Sequence, residues 1–422
     1  MSKFSPPSCY TMLMVSALML IIYNEYLEFF ILKQNQWNQA REAIQYPTES
    51  ATSNKGIPQH DPVRILFVAD PQIQGYRDEP PILGYITRWD ADLYLKKYFH
   101  EALRYIKPDV VITMGDLLDE GSISTETEFE IYAERFKRLF EIPNDVKAVV
   151  VHLSGDNDIG GEGSDPLTDA KIQRFEKHFG PVTEAIHYKH VAFFKINFLP
   201  FLHMGQNDKD RVFEQQLLTM ADSSKESTVR IVLSHNAMAE AMLNRHINLL
   251  RTLKPQYAFS AHTHHSGFLQ HSLAKLTEMY RGIYKNDNKG MADLTADEEQ
   301  FVTEEYRIPT CSYRMGVQHM AYAAAVIVLF WMHARHCPPF DHRLPLMNLT
   351  QMTVTDGTMD DQRPLALSSH LTSADDGPQY ERIGCRRECL VREARRNDTK
   401  ILLHSWLNDV KEQRNSLENF LS

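Results

Sequence analysis

Between residue 63 and about residue 308 the chain alternates two patterns. Short runs of β-branched and apolar residues, ILFVAD at 65–70, VVITMGD at 110–116, VVVHLSGDND at 149–158, IVLSHN at 231–236 and YAFSAHTHH at 257–265, are separated by longer stretches of helical periodicity. A continuous apolar run of this length, ended by a small or polar residue, predicts a strand buried on both faces. Strands are expected over 64–69, 110–114, 146–153, 192–198 and 230–234. Helices are expected over 92–106, through Leu93, Leu95, Phe99, Ala102 and Ile106 and stopped by Pro108, and over 126–140, where Phe129, Tyr132, Ala133, Phe136 and Phe140 share one side. Strand and helix in turn predict a layered α/β sheet.

The ends depart from this rhythm. Residues 9–23 form an apolar run that continues, interrupted by Glu25 and Glu28, to Leu32. Its length and flanks favour an uncleaved signal-anchor over 1–33 rather than a cleaved signal peptide, although Lys3 does precede an apolar stretch of suitable length. Lys3 against Lys33 and Arg41 gives no positive-inside bias, so orientation is not fixed by charge. Residues 34–61 are polar and read as a linker, leading into a catalytic domain over 62–315. Within it, 285–305 is polar and acidic and reads as a surface loop. Residues 316–333 are expected to be either a last core strand or a second, short membrane span. The tail, 334–422, is polar, with an Arg-rich patch and a candidate amphipathic helix at Leu403, Trp406, Leu407 and Val410.

Composition narrows the function classes. A hydrophobic content of 43%, with 10% aromatic residues, supplies a sizeable core, and the formal charge of −10 argues against a nucleic-acid-binding surface. It does not exclude a phosphorylated substrate, because bound metal ions bring their own positive charge. Cys9, Cys311, Cys337, Cys385 and Cys389 are few, scattered and odd in number, which predicts neither a disulfide framework nor a Cys-rich zinc site.

The chemistry lies where the apolar runs stop. Asp70-Pro-Gln72, Gly115-Asp116, Gly155-Asp156-Asn157-Asp158, His235-Asn236 and His262-Thr-His264-His265 each follow a strand-like segment. Open α/β sheets gather such strand ends on one rim, where ligands bind. Taken singly, each has a structural explanation: an Asp after a strand is commonly a turn former or helix cap, and a lone His is commonly a satisfied loop residue. Taken together, three carboxylates and three imidazoles on one rim suit borderline divalent ions, and two such ions about 3.5–4 Å apart are the usual arrangement for phosphoester hydrolysis.

These segments resemble the calcineurin-like metallophosphoesterases, whose pattern is D-x-H, G-D, G-N-H-[DE], H and G-H-x-H; the resemblance covers about 63–266. It implies a four-layer α/β/β/α sandwich with two divalent metal ions at the strand ends, manganese first, with iron or zinc as alternatives. Asp116 would bridge them, Asp70, Gln72 and His264 would serve the first ion, and Asp156, His235 and His262 the second. Gln72 stands where the family has a histidine ligand, so the first ion would be bound more weakly or through the Gln carbonyl. Asp156 stands at an Asn ligand position, and Asn157 at that of the catalytic His, where an amide cannot donate a proton as an acid. The leaving group's proton would then come from water on the metals or from His265, beside His264. The Glu25-Tyr26-Leu27 end of the anchor and GDNDIGGEG at 155–163 are similar to the membrane-bound branch that removes ethanolamine phosphate from the GPI glycan. That implies a lumenal catalytic domain in membranes between endoplasmic reticulum and Golgi, with GPI-anchor intermediates or GPI-anchored proteins as partners. The alternatives are an enzyme for another lipid or nucleotide phosphoester, and a non-catalytic, cargo-binding membrane protein.

Overall fold

The computed structural model describes residues 9–23, 61–77, 81–201, 207–224, 227, 229–283, 293–317, 320–329, 345–351 and 399–408. An N-terminal helix, α1 (Cys9–Ile22), precedes the fold. Strands β1 (Val63–Val68), β2 (Val110–Thr113) and β3 (Val149–His152) are parallel neighbours, and their connections carry helices α2 (Pro81–Ile106) and α3 (Glu126–Leu139). After β3 come a single turn, α4 (Asp156–Ile159), and helix α5 (Asp169–Phe179). A second sheet is built from β4 (Glu184–Tyr188), β5 (Val191–Lys195), β6 (Val229–Leu233), β7 (Tyr257–Ser260), β8 (Gly267–Ser272) and β9 (Val302–Arg307), in the order β4-β5-β6-β7-β9-β8. Helices α6 (Asn207–Ser223), α7 (Leu243–Leu253) and α8 (Leu273–Ile283) lie in its connections, followed by a short turn of helix, α9 (Ala296–Glu299). Strand β10 (Met320–Leu329) then returns to the first sheet beside β1, antiparallel, with β12 (Thr399–Asn408) and β11 (Pro345–Gln351) outside it.

The two faces of each strand explain the layers. Ile65 and Phe67 of β1 and Val110 and Ile112 of β2 pack against Phe193, Ile231, Leu233 and Phe259 of the second sheet, forming the central apolar layer. The alternate residues Leu66, Val68 and Val111 face Phe99 of α2, Phe129 and Phe136 of α3 and Phe175 of α5. On the far side, Phe194, Val232 and Ala258 face Phe213 of α6, Leu250 of α7 and Leu273 of α8. Period-two alternation thus gives each sheet two apolar faces, one for its partner sheet and one for its helices. The arrangement is helices, sheet, sheet, helices, the four layers expected.

Several boundaries differ from the expectation. Helix α2 starts at Pro81 rather than near residue 92; the apolar residues of its first half face outward, on a different side from the buried Leu95, Phe99, Ala102 and Ile106, so the core-facing periodicity marks only the second half, and proline suits the first helical position. The acidic stretch expected as a loop over 285–305 contains most of β9, whose Glu305 is fully buried against His271. Met320–Leu329 is a strand rather than a membrane span, pairing Ile327 with Val63 and Ala323 with Phe67, so the first sheet continues beyond the boundary at 315. Thr399–Asn408 is also a strand rather than an amphipathic helix, since the free edge of β10 offers it ten backbone pairings. At the N-terminus, α1 has 14 residues, about 21 Å of helix against the ~30 Å of a bilayer core. No helix among the described residues is long and apolar enough to cross a membrane. The rest of the anchor expected over 1–33, the linker up to residue 60 and most of the tail lie outside the described residues.

Candidate metal centre

Parallel register brings the strand ends together. Ile65 pairs with Val110 and Val110 with Val149, so the loops after β1, β2 and β3 leave the first sheet side by side. Leu233 pairs with Phe259, which does the same for the loops after β6 and β7. Asp70, Asp116, Asp156, His235, His262 and His264 thereby meet on one rim.

Two groups of side chains there have the spacing of a metal site. Asp116, Asp156, His235 and His262 form one, Asp70, Asp116 and His264 the other, and Asp116 belongs to both. His235 Nε2 lies 3.2 Å from an Asp156 oxygen and 3.4 Å from Asp116 Oδ1, and His262 Nδ1 lies 3.1 Å from the same Asp156 oxygen. The Met114 carbonyl is 2.9 Å from His235 Nδ1, which orients the ring with Nε2 toward the carboxylates. Gln72 sits at the junction: its amide nitrogen is 3.0 Å from Asp116 Oδ2 and 3.2 Å from His264 Nε2.

Backbone strain marks the same residues. Of the eight non-glycine residues with positive φ among the described residues, five are Asp70, Gln72, Asp116, His262 and His264. A side chain held there costs roughly 1–3 kcal/mol, which the surrounding structure has to offset. Gly115, at φ +97°, allows the close approach of His235, whose Nδ1 would lie 2.6 Å from an added Cβ.

The donor set fits divalent cations. Both Asp70 oxygens are buried without a hydrogen-bond partner, an expensive state for a carboxylate unless a cation faces it. Burial pushes the Asp70 carboxyl up to about 6, against the opposing pull of His235, and raises Asp116 well above the carboxylate range. Burial also pushes Asp156 upward, but hydrogen bonds from His235 and His262 outweigh it and hold that carboxyl low. His235 is pulled down by burial and raised further by Asp116, Asp156 and Asp70. His262 is raised by Asp156, whereas burial lowers His264. Concentrating this much negative charge inside the fold is what a dication compensates.

Two residues given catalytic roles sit differently. Asn157 points inward, its backbone N–H donating to Asp116 Oδ1 at 3.0 Å and its amide to Asp116 Oδ2 at 3.1 Å. It steadies the shared carboxylate. His265 is exposed, with Nδ1 2.8 Å from the Thr263 carbonyl, and lies outside both ligand groups.

Other residues were not singled out by sequence. Asp158 read as a turn former, yet it is fully buried and accepts from the backbone N–H groups of Leu117, Leu118 and Gly155 at 3.1, 3.0 and 2.9 Å, locking the Asp116 loop to the Asp156 loop. Its pattern, a carboxylate two residues beyond another in GDND, was the available signal. Arg314 donates to the Gln72 carbonyl at 2.9 Å and to Asp119 at 2.9 Å, fixing the first ligand loop from 242 residues away. Glu305 accepts from the Met238 N–H at 3.1 Å and pairs with His271 at 2.6 Å, bracing the turn after His235.

Residues 63–266 match the family model described as calcineurin-like phosphoesterase. The chain is similar to metallophosphoesterase 1 of Danio rerio, 35% identical over 141 residues, which are 33% of this chain and 34% of that protein. It is also similar to the metallophosphoesterase 1 homolog of Drosophila melanogaster, 26% identical over 147 residues, 35% of each chain. It therefore spans about a third of the length of these curated relatives. A solved structure titled GAP50, the anchor in the inner membrane complex of Plasmodium, aligns at 10% identity with a TM-score of 0.34, covering 65% of this chain and 86% of that one, a likeness too slight to inform the fold. Over residues 63–266 the chain is thus similar to calcineurin-like phosphoesterases, and the two candidate ligand groups lie within that stretch.

Proposed function

We propose that this protein is a dinuclear metal-dependent phosphodiesterase that removes ethanolamine phosphate from the GPI-anchor glycan, with its catalytic domain in the lumen of the early secretory pathway. The observation that carries the chemistry is Asp116, which stands in both ligand groups and so is placed to neutralise two cations at once. Two divalent cations, when bound, supply the positive charge that polarises a phosphoryl oxygen and activates a water nucleophile. Asp70, Gln72 and His264 would hold one and Asp156, His235 and His262 the other, and the geometry suits manganese, iron or zinc alike. The chain's own contribution is to set these donors before substrate arrives: Met114 orients His235, Asn157 steadies Asp116, and Asp158 ties the two loops together. Gln72 offers an amide nitrogen to Asp116 as placed; turning the amide would present its carbonyl oxygen as a donor to a cation instead. The GPI substrate and the location rest on the sequence resemblance of residues 25–27 and 155–163.

One observation favours the non-catalytic reading. The amides of Gln72 and Asn157 both donate to the same Asp116 oxygen, occupying lone pairs that a cation would use. Hydrolysis of bis(p-nitrophenyl) phosphate with and without added manganese, read beside metal content, separates the two. Asp116→Asn should abolish hydrolysis and empty the site. A variant with near-normal activity and two bound metals would overturn the assignment.

A further inference from the structure

The first half of α2 presents an apolar face that nothing among the described residues covers. Ile82, Tyr85, Ile86 and Trp89 are 82%, 70%, 54% and 61% exposed, and Leu83 and Leu93 are exposed as well. Positions 82, 85, 86, 89 and 93 share one side of a helix. The second half of the same helix is ordinary core, with Phe99, Ala102 and Ile106 buried. Scattered exposed apolar residues need no explanation, whereas a contiguous stripe of large ones marks a docking surface.

The stripe adjoins the metal rim. Arg88 donates to the Gly75 carbonyl at 3.0 Å and lies 4.7 Å above the Tyr76 ring, in the loop that carries Gln72. Asp90 accepts from the Tyr313 hydroxyl at 2.6 Å, and the next residue, Arg314, holds the Gln72 carbonyl. Tyr76 is itself 45% exposed. Near the same rim, Ile123 is 51% exposed, next to Ser122, whose N–H donates to the Asn157 carbonyl.

The chemistry of the face selects its occupant. It mixes aliphatic side chains with Trp89, Tyr85 and Tyr76, the amphipathic aromatics enriched where a bilayer meets water, and an exposed lysine, Lys96, follows one turn beyond Leu93. The same chain carries a second uncovered apolar helix, α1, in which Tyr10 through Leu20 are exposed. An uncovered apolar helix together with an uncovered apolar face in one protein suits a surface that lies on a membrane. We propose that the first half of α2 lies in the headgroup–acyl boundary of a lipid bilayer and presents the metal rim to phosphoesters carried on that bilayer. The docking stands on the face alone; the presentation of substrate rests on the phosphodiesterase reading above.

The test uses the full chain reconstituted in phosphatidylcholine vesicles. Trp37→Phe, Trp331→Phe and Trp406→Phe leave Trp89 as the sole tryptophan of four. Brominated phosphatidylcholine should then quench Trp89 emission, and aqueous acrylamide should quench it weakly. In the otherwise unchanged chain, Ile86→Ser with Trp89→Ser should slow hydrolysis of an alkyl p-nitrophenyl phosphodiester held in the vesicles about tenfold, while hydrolysis of soluble bis(p-nitrophenyl) phosphate stays the same. Trp89 open to acrylamide and indifferent to bromolipid would overturn the proposal. So would protection that depends on protein concentration, which would assign the face to a second copy, or protection that persists without vesicles, which would assign it to this chain's own tail. Equal loss on both esters would overturn the presentation of substrate. If neither ester is hydrolysed by the unaltered protein, the phosphodiesterase reading fails while the quenching still decides the docking.

Discussion

Gly155→Ala should disable the metal centre while leaving the fold standing. Gly155 has φ −110° and ψ −177°, an extended conformation open to any residue, so the substitution introduces no backbone strain. What it introduces is a methyl group against Asp116: an ideal Cβ would collide with Asp116 Oδ1 and lie 2.5 Å from the Asp116 backbone nitrogen. Ordinary contact needs about 3.5 Å, so one side has to move by about 1 Å. The obstacle includes backbone, and the local clamps resist: Gly155 N–H donates to Asp158 at 2.9 Å and Asn157 N–H to Asp116 at 3.0 Å. Overpacking of this kind costs about 1–3 kcal/mol, and a 1 Å misplacement of a reacting constellation costs about 10²-fold in rate. The expected result is a folded protein, a few degrees less stable, with reduced metal content and hydrolysis of bis(p-nitrophenyl) phosphate down at least about 100-fold. Gly282→Ala is the control, since a Cβ there meets nothing within 4 Å on a helix. If Gly155→Ala kept its metals and its rate, Asp116 would not be the hub of the site.

Other consequences can be measured separately. His235→Ala should abolish hydrolysis with a small change in melting temperature, because its ring faces the carboxylates rather than the core; retained activity would remove His235 from the site. Asn157→His restores a proton donor and should speed esters with poor leaving groups, toward the 10²–10⁴-fold typical of a positioned acid, with little effect on p-nitrophenyl esters; slowing on every ester would show that the amide bond to Asp116 matters more. His265→Ala should slow only the poor leaving groups if His265 serves as the acid, and uniform rates would exclude it. Burial, then the neighbouring His271, lowers His246 from 6.5 to about 4. As pH falls from 6.5 to 4 the unfolded chain therefore binds a proton that the native state refuses, and native stability should drop by about 3 kcal/mol. His246→Leu should flatten that part of a urea-midpoint profile, and an unchanged slope would refute the assignment.

How much of this was legible in the sequence depended on whether the information was local. The runs ILFVAD, VVITMGD and IVLSHN announced buried strands, because a strand covered on both faces must be apolar throughout. Their polar ends announced the rim on which Asp70, Asp116 and His235 gather, because a parallel sheet delivers successive strand ends to the same edge. Long-range contacts left no such trace. Glu305 in VTEEYR reads as solvent-facing, and partners brought there by folding, the His271 ring and the Met238 N–H among them, make its burial tolerable. Residues 316–333 were apolar enough for strand or span, and the choice fell to β1, whose edge pairs with Met320–Leu329. Asp158 looked like its turn-forming neighbours until the loop after Asp116 supplied two more N–H groups. The outward stripe of α2 hid the start of the helix for the converse reason: an apolar residue reports a preference for leaving water, while the tertiary structure alone decides which surface receives it.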